Sequence, residues 1–194
     1  MMELLAYILC TAICALIWIW NGRCIAQGIK EHVISEVYIH VGMGIFFTLL
    51  TFELTVGNLG AWARLDILWL QIIGFVLYAP AIYLVAASHK SLEYKGKPTS
   101  ERLATTKLID TGIYSIIRQP MTLGMAFFSV AIILLGQSVL SVILGASSLF
   151  CFWMSARAEA EYNIRKFGAK YKKYMERVPM WNFLKGAKNK KLSS

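Results

Sequence analysis

The chain has 194 residues, of which 57% are hydrophobic and 16% charged, and its twenty Lys and Arg against eleven Asp and Glu leave a net charge of +9. That apolar share, with a positive mean hydropathy, excludes an ordinary soluble domain and predicts one integral membrane domain over residues 1–194, all-α, because every spanning backbone group must find its partner within a helix. No nucleic-acid-binding motif accompanies the positive charge, which suits instead a membrane surface of anionic headgroups.

The opening stretch MMELLAYILC has no basic n-region, and no small-x-small cleavage signal follows Trp20, so the first apolar run is expected to be retained. Leu4 to Trp20 is the first predicted span, close to the minimum length for the hydrocarbon core, and it ends on Trp18 and Trp20, which favour the interface. A polar connection with Arg23, Lys30, Glu31, His32 and Glu36 follows. The second span runs from about Val37 to Val56 and carries His40 and Glu53. The third, about Leu65 to Ala87, contains Pro80, which should kink it unless neighbouring helices satisfy the freed carbonyl. Residues 1–88 thus hold three spans. Gly42 and Gly44, or Gly57 and Gly60, offer places for close helix contact. Cys10, Cys14, Cys24 and Cys151 make no CxxC pair, and three of them lie in or near apolar spans, which predicts buried reduced thiols and no metal or redox site.

Residues 89–120 form a polar loop with Lys90, Lys95, Lys97, Arg102 and Lys107, and Gly96 and Pro98 mark a turn. Its end, LIDTGIYSIIRQPMTLG from Leu108 to Gly124, carries Arg118 and Gln119 to the lip of an apolar run and starts a helix with Pro120. Proline suits the first helical position, and the unpaired N–H groups after it lie at the positive end of the helix dipole, where they can receive an anionic group of a ligand. Met121 to Ala156 is then apolar, broken only at Gly136, Gln137 and Ser138. One straight helix of that length would measure ~54 Å against a hydrocarbon core of about 30 Å. A hairpin of two short helices folded at Gly136 to Ser138 fits, and brings the total to about five transmembrane helices.

Five spans put nineteen of the twenty Lys and Arg on one side and Arg64 alone on the other. The positive-inside rule then places the N-terminus outside and the loop and basic tail in the cytoplasm. Residues 157–194 form that tail. Its first part, RAEAEYNIRKFGAKYKKYMER, has helical propensity interrupted at Gly168. Glu161 has Arg157 and Arg165 four residues to either side, a surface ion-pair ladder. Glu159 has Ser155, Ala156, Tyr162 and Asn163 at its helical neighbours, so its carboxylate needs another cation, water or a ligand. Phe167, Tyr171, Tyr174 and Val178 recur at helical spacing, which predicts an amphipathic face at the interface, or in part a lid over a bound cofactor.

GIYSIIRQPMTLG resembles the GxYxxxRHPxYxG signature of the isoprenylcysteine carboxyl methyltransferase family, itself similar to bacterial and phospholipid methyltransferases of the membrane. Glu159 followed by FGAKYKKYMERVPMWNFLKG matches that family's glutamate-rich helix, FGxxYxxY and VP-containing tail, so the resemblance covers about Thr106 to Lys185. It implies S-adenosylmethionine as methyl donor, in a cytoplasm-facing pocket contacted by Thr106, Lys107, Leu108, Ile109, Tyr114, Gln119, Pro120, Met121, Thr122 and Glu159, with Arg118 and Glu159 as catalytic candidates. Three positions depart from the pattern: Gln119 stands for the histidine, Thr122 for the tyrosine and Ala160 for the second glutamate. Gln119 keeps hydrogen-bonding capacity but cannot act as a base near neutral pH.

Methyl transfer from a sulfonium is an in-line displacement that asks mainly for alignment and desolvation. A carboxylate or thiolate acceptor has no proton to lose, whereas an amine would need a base, for which Glu159 is the candidate. Arg118 could hold an acceptor carboxylate or anchor a lipid phosphate. The expected acceptor is lipophilic, such as a prenylcysteine-like α-carboxyl, and comes from the bilayer; a phospholipid amine or a thiol is the alternative. From a different class, His40 and Glu53 within one span hint at an ion path and a small transporter, though no internal repeat accompanies them. A nicotinamide-dependent reductase would need a cofactor fingerprint, and no GxGxxG appears. His32, His40 and His89 lack ligand spacing, so no metal is expected.

Overall fold

The computed structural model describes residues 2–96 and 106–193, and all regular structure among them is helical. Seven α-helices follow in order: α1 (Met2–Lys30), α2 (Ile34–Leu54), α3 (Leu68–Lys95), α4 (Pro120–Gly136), α5 (Val139–Phe167), α6 (Ala169–Arg177) and α7 (Phe183–Ser193). Among the described residues, four helices are long and apolar enough to cross a membrane: α1, α2 with the turn that continues it, α3 and α5; α4 is a shorter apolar helix. At 17 residues α4 rises ~26 Å, which nearly matches a hydrocarbon core. The polytopic helical bundle expected from composition is therefore the fold.

Successive helices run antiparallel, and the contacts that bring them together rest on small residues. Gly42 of α2 faces Phe152 of α5 so closely that a Cβ would lie 2.8 Å from the ring, and Gly124 of α4 faces α3, where a Cβ would lie 2.9 Å from the Ala81 carbonyl. Gly44 meets Trp18 of α1, so these glycines serve packing within the chain. Phe46, Leu49, Met125, Ile132 and Phe152 fill the centre from α2, α4 and α5. Ser129 and Ser148 hydrogen bond to each other across α4 and α5 at 2.8 Å, one hydroxyl donating to the other, which in turn donates to a carbonyl of its own helix. Large apolar side chains such as Leu16, Phe75, Val76 and Ile143 point outward, as a bilayer-facing surface requires.

Boundaries differ from the sequence expectation in three places. α1 continues ten residues past Trp20 because Asn21 bonds back to Ile17 O (2.9 Å) and across to His40 (3.0 Å), holding the polar extension against α2. The first connection shrinks accordingly to residues 31–33, and Arg23, Lys30 and Glu36 are helical. α3 starts later and runs to Lys95, with Pro80 inside it. Its late start has a cause: Gln137 clamps the preceding segment, accepting from Leu65 N at its main-chain oxygen (3.1 Å) and exchanging 2.7 and 2.9 Å bonds with the Ile67 backbone.

The hairpin folds where expected. Gln137 takes a left-handed conformation (φ 47) and Ser138 caps α5 through reciprocal bonds with Ser141, which ends one helix and starts the next within two residues. α5 runs on past Ala156 to Phe167, and the chain turns at Gly168 (φ 55) into α6. Helix directions put Arg64, Glu53 and Gln137 at one end of the bundle, and the 31–33 turn, residues 106–119, α6 and α7 at the other. Gly96 closes α3; Pro98 of the expected turn, with Lys97 and Arg102, lies outside the described residues.

Candidate active site

At the end of the bundle opposite Arg64, the chain entering the hairpin meets the chain leaving it. Arg118 N donates to Pro179 O (2.9 Å) and Gln119 N to Met180 O (3.3 Å), so residues 118–119 pair with 179–180 in an extended arrangement. Trp181 then packs on Leu84, Ile117 and Leu123 and donates from Nε1 to Thr122 Oγ1 at 3.2 Å. The first turn of α4 is consequently buried: Pro120 is fully enclosed, Thr122 is 1% exposed and Gln119 4%. The 179–181 segment thus lies beside that turn, through the Arg118 and Gln119 N–H groups before it and the Thr122 hydroxyl within it.

Turning at Gly168 folds α6 back over the end of α5, and this decides the fate of the aromatic stripe. Tyr171, Tyr174 and Val178 face inward on Ala160, with Leu108, Ile164 and Phe167 around them. The interfacial face expected for the stripe does not form here, because the short helix buries Tyr171, Tyr174 and Val178 against its own chain. Tyr174 donates its hydroxyl to Tyr114 O at 2.7 Å, and the Tyr171 and Tyr174 rings sit 5.7 Å apart.

Beneath this roof is a cavity of about 40 Å³ lined by residues from four parts of the chain: Leu92 of α3, Lys107 to Ile109 with Tyr114 and Arg118, Glu159 with Asn163 of α5, and the α6 tyrosines with Phe167. Of the positions singled out in the sequence, Lys107, Leu108, Ile109, Tyr114, Arg118 and Glu159 come together on its wall. Gln119 joins through Glu159, to which its amide and that of Asn163 are hydrogen bonded. Thr106, Pro120, Met121 and Thr122 are not among the lining residues; Thr106 bonds to Gly96 O (3.1 Å), and the other three belong to the α4 first turn just described.

The electrostatics of this small space are distinctive. Glu159 receives its hydrogen bonds from two neutral amides. Arg118 uses Nη1 for the carbonyls of Val178 (3.2 Å) and Met175 (3.5 Å), while its Nε is buried with no hydrogen-bond partner among the described residues. Burial, and next the negative charge of Glu159, pushes the Tyr171 hydroxyl up to about 12; burial likewise raises Tyr114 and Tyr174. All three therefore stay neutral at physiological pH. Glu161 of the same helix turn points to solvent, and Arg157 lies over the Trp153 ring at 4.9 Å.

Sequence reasoning did not single out Asn163, Ser88, Leu92 or Trp181. Asn163 stands one helical turn after Glu159, a signal that could have marked it. Ser88, fully buried in α3, meets the Tyr114 hydroxyl, and nothing in its sequence context marks it. The residues of the suggested ion path separate: His40 meets Asn21 and Glu36 (3.5 Å) at one end of α2, while Glu53 pairs with Arg64 at the other. Among the described residues, no three His, Cys, Asp or Glu gather as a metal group, and the four cysteines are unpaired.

The model of the family described as phospholipid methyltransferase matches residues 69–170, which includes α3, the polar loop, the hairpin and α5 through Glu159. No curated protein and no solved structure matches the chain.

Proposed function

Because the chain belongs to the phospholipid methyltransferase family, we propose that it transfers a methyl group from S-adenosylmethionine to a lipophilic acceptor at the end of the bundle where Glu159 and Arg118 face one cavity. The observation that carries this reading is the charge pattern there. A half-buried carboxylate is held by neutral amides and ringed by Tyr114, Tyr171 and Phe167, and a half-buried guanidinium has a buried Nε with no hydrogen-bond partner among the described residues. A carboxylate among aromatic rings suits a sulfonium cation, and the free Arg118 Nε suits a carboxylate, so the residues fit both charged ends of a methionine-derived donor.

When bound, that donor supplies an activated methyl group whose carbon–sulfur bond breaks as the acceptor's bond to carbon forms. The chain's own part is to bind and align. Glu159 offsets the positive charge, Gln119 and Asn163 fix the carboxylate's direction, and the α6 tyrosines exclude water. Lys107, Leu108, Ile109 and Tyr114 complete the cofactor wall, and Thr106, Pro120, Met121 and Thr122, implied by the same resemblance, stand outside its present lining. A nucleotide needs roughly 300 Å³ or more, so α6 or residues 106–111 lift away from the present 40 Å³ cavity when it binds.

The preferred acceptor is a carboxylate such as a prenylcysteine-like α-carboxyl. Gln119 provides no base, and a carboxylate oxygen needs none. The second reading, a phospholipid amine, is favoured by the family's description; there Glu159 would take the proton that the amine loses. Charge asymmetry supports a cytoplasmic site and C-terminus and an external N-terminus.

Calorimetric titration of the protein in lipid nanodiscs with S-adenosylhomocysteine and with NADPH tests the reading. Heat is expected with the first only. A reductase would respond to the second, and a transporter to neither. Incubation of lipid extracts with isotopically labelled S-adenosylmethionine then separates the acceptors, since a methyl ester releases its label in mild base and an N-methyl group does not.

A further inference from the structure

α7 (Phe183–Ser193) extends beyond the matched family region, and the site just described makes no use of it. Its sequence, FLKGAKNKKLS, holds four lysines and no acid. Two faces are distinct. Gly186 and Asn189 turn toward the body: a Cβ on Gly186 would run into the Ile116 carbonyl, and Asn189 donates to Arg177 O at 2.8 Å. Leu184 and Lys188 stand four residues apart on the other side with Lys185 beside them, and Leu184 is 80% exposed, whereas Leu192 lines a cavity against Asp110, Ser115 and Val178.

The depth of this helix is fixed by its neighbour. Trp181, two residues before α7, is bonded to the first turn of α4 and packed against Leu84 and Leu123, so α7 begins level with the start of the apolar helix α4. An exposed leucine such as Leu184 meets the headgroup region at that level, and lysine stems cover apolar surface while their ammonium groups reach phosphates. An isolated helix of eleven residues is marginal in water, so a basic one with an exposed leucine needs a surface to hold it.

We propose that the outer face of α7 docks on the anionic headgroup surface of the bilayer, with Leu184 inserted among the headgroups and Lys185 and Lys188 paired with lipid phosphates. The docked helix bears on Ile116, two residues before Arg118, so anionic lipid also steadies the cavity wall. The docking itself stands on the fold and the charge pattern and does not require methyl transfer.

Hydrogen–deuterium exchange of the full chain in nanodiscs of phosphatidylcholine, alone or mixed with phosphatidylglycerol, tests it. Amides of residues 184–192 are expected to exchange more slowly in the anionic discs, by about fivefold for each lysine engaged. High salt or the Lys185→Gln/Lys188→Gln variant should remove the difference, while α2 and α5 exchange alike in both discs as a control for folding. Leu184→Asp should abolish protection even in anionic discs. Equal exchange in the two disc types, or protection that survives loss of both lysines, overturns the proposal. A protein partner or free phosphate as the true occupant would give the former result.

Discussion

Arg118 and Val178, sixty residues apart in the chain, are joined by a 3.2 Å hydrogen bond from the Arg118 Nη1 to the Val178 carbonyl. The same nitrogen reaches Met175 O, so the guanidinium sits over the last turn of α6, where helix carbonyls lack partners and the dipole is negative. One side chain thereby links the segment leading into the hairpin to the helix that roofs the cavity. A resemblance marks this arginine as a site residue; the structure gives it a second task.

Arg118→Lys should therefore damage both tasks. Lysine keeps the charge but lacks the fork that serves two carbonyls while leaving Nε for a ligand. A loss of about 1–3 kcal/mol in stability is expected. Affinity for S-adenosylhomocysteine should fall tenfold or more, since the donor carboxylate and the roof are affected together. Thermal unfolding in detergent and calorimetry read the two effects. An unchanged melting temperature would argue against the cap, and an unchanged affinity against the ligand contact.

For Glu159, the informative comparison is between two ligands that differ by a charge. Glu159→Gln preserves size and leaves the amides of Gln119 and Asn163 a partner, but removes the negative charge beside the tyrosines. Binding of S-adenosylmethionine, with its sulfonium, should weaken by about tenfold more than that of the neutral thioether product, a difference of ~1.4 kcal/mol. Equal weakening of both ligands would mean that Glu159 holds some other part of the nucleotide.

How far the sequence already displayed this arrangement depends on which force sets each part. Local signals carried the hairpin: Gly136 to Ser138 interrupts an apolar run too long for one span, and the turn falls there. They also carried the break at Gly168. Glu159 stood out because its helical neighbours offer no cation, and its partners are neutral amides. What stayed hidden was tertiary. The direction in which α6 folds after Gly168 decides whether Tyr171 and Tyr174 face lipid or protein, and spacing alone serves both. The extension of α1 past Trp20 depends on Asn21 meeting His40 of the next helix, a contact no local pattern contains.

At the other end of the bundle, Glu53 of α2 and Arg64 form a part-buried ion pair beneath the α4–α5 turn. Arg64→Ala leaves a carboxylate in place without its cation, and should cost on the order of 3 kcal/mol. Adding Glu53→Gln should return part of that loss, because the stranded charge is gone; a double-mutant cycle on thermal stability measures the return. Methyl transfer at the far end should be unaffected in the double variant once folded. A loss of activity without loss of stability would instead revive the idea that Glu53 belongs to a functional path through the bundle.

The last prediction concerns pH and follows from Tyr171. Its hydroxyl is held up at about 12, against 10.0 for an ordinary tyrosine, chiefly by burial and then by the charge of Glu159. A group with a raised folded-state value releases its proton more readily in the unfolded chain. Its contribution is therefore complete below about pH 10 and is lost as pH climbs toward 12, by roughly 2 kcal/mol over that interval. Tyr171→Phe removes the titration, and with it the hydroxyl's hydrogen bonds to Asn163 and Gln119. The variant should accordingly be less stable by about 1 kcal/mol at neutral pH, yet lose less than the parent chain across the alkaline range, so that the two stability curves converge or cross. Unfolding midpoints collected in detergent at intervals through that range would reveal the convergence. Parallel curves would mean that Tyr171 is open to water and that α6 does not roof the site.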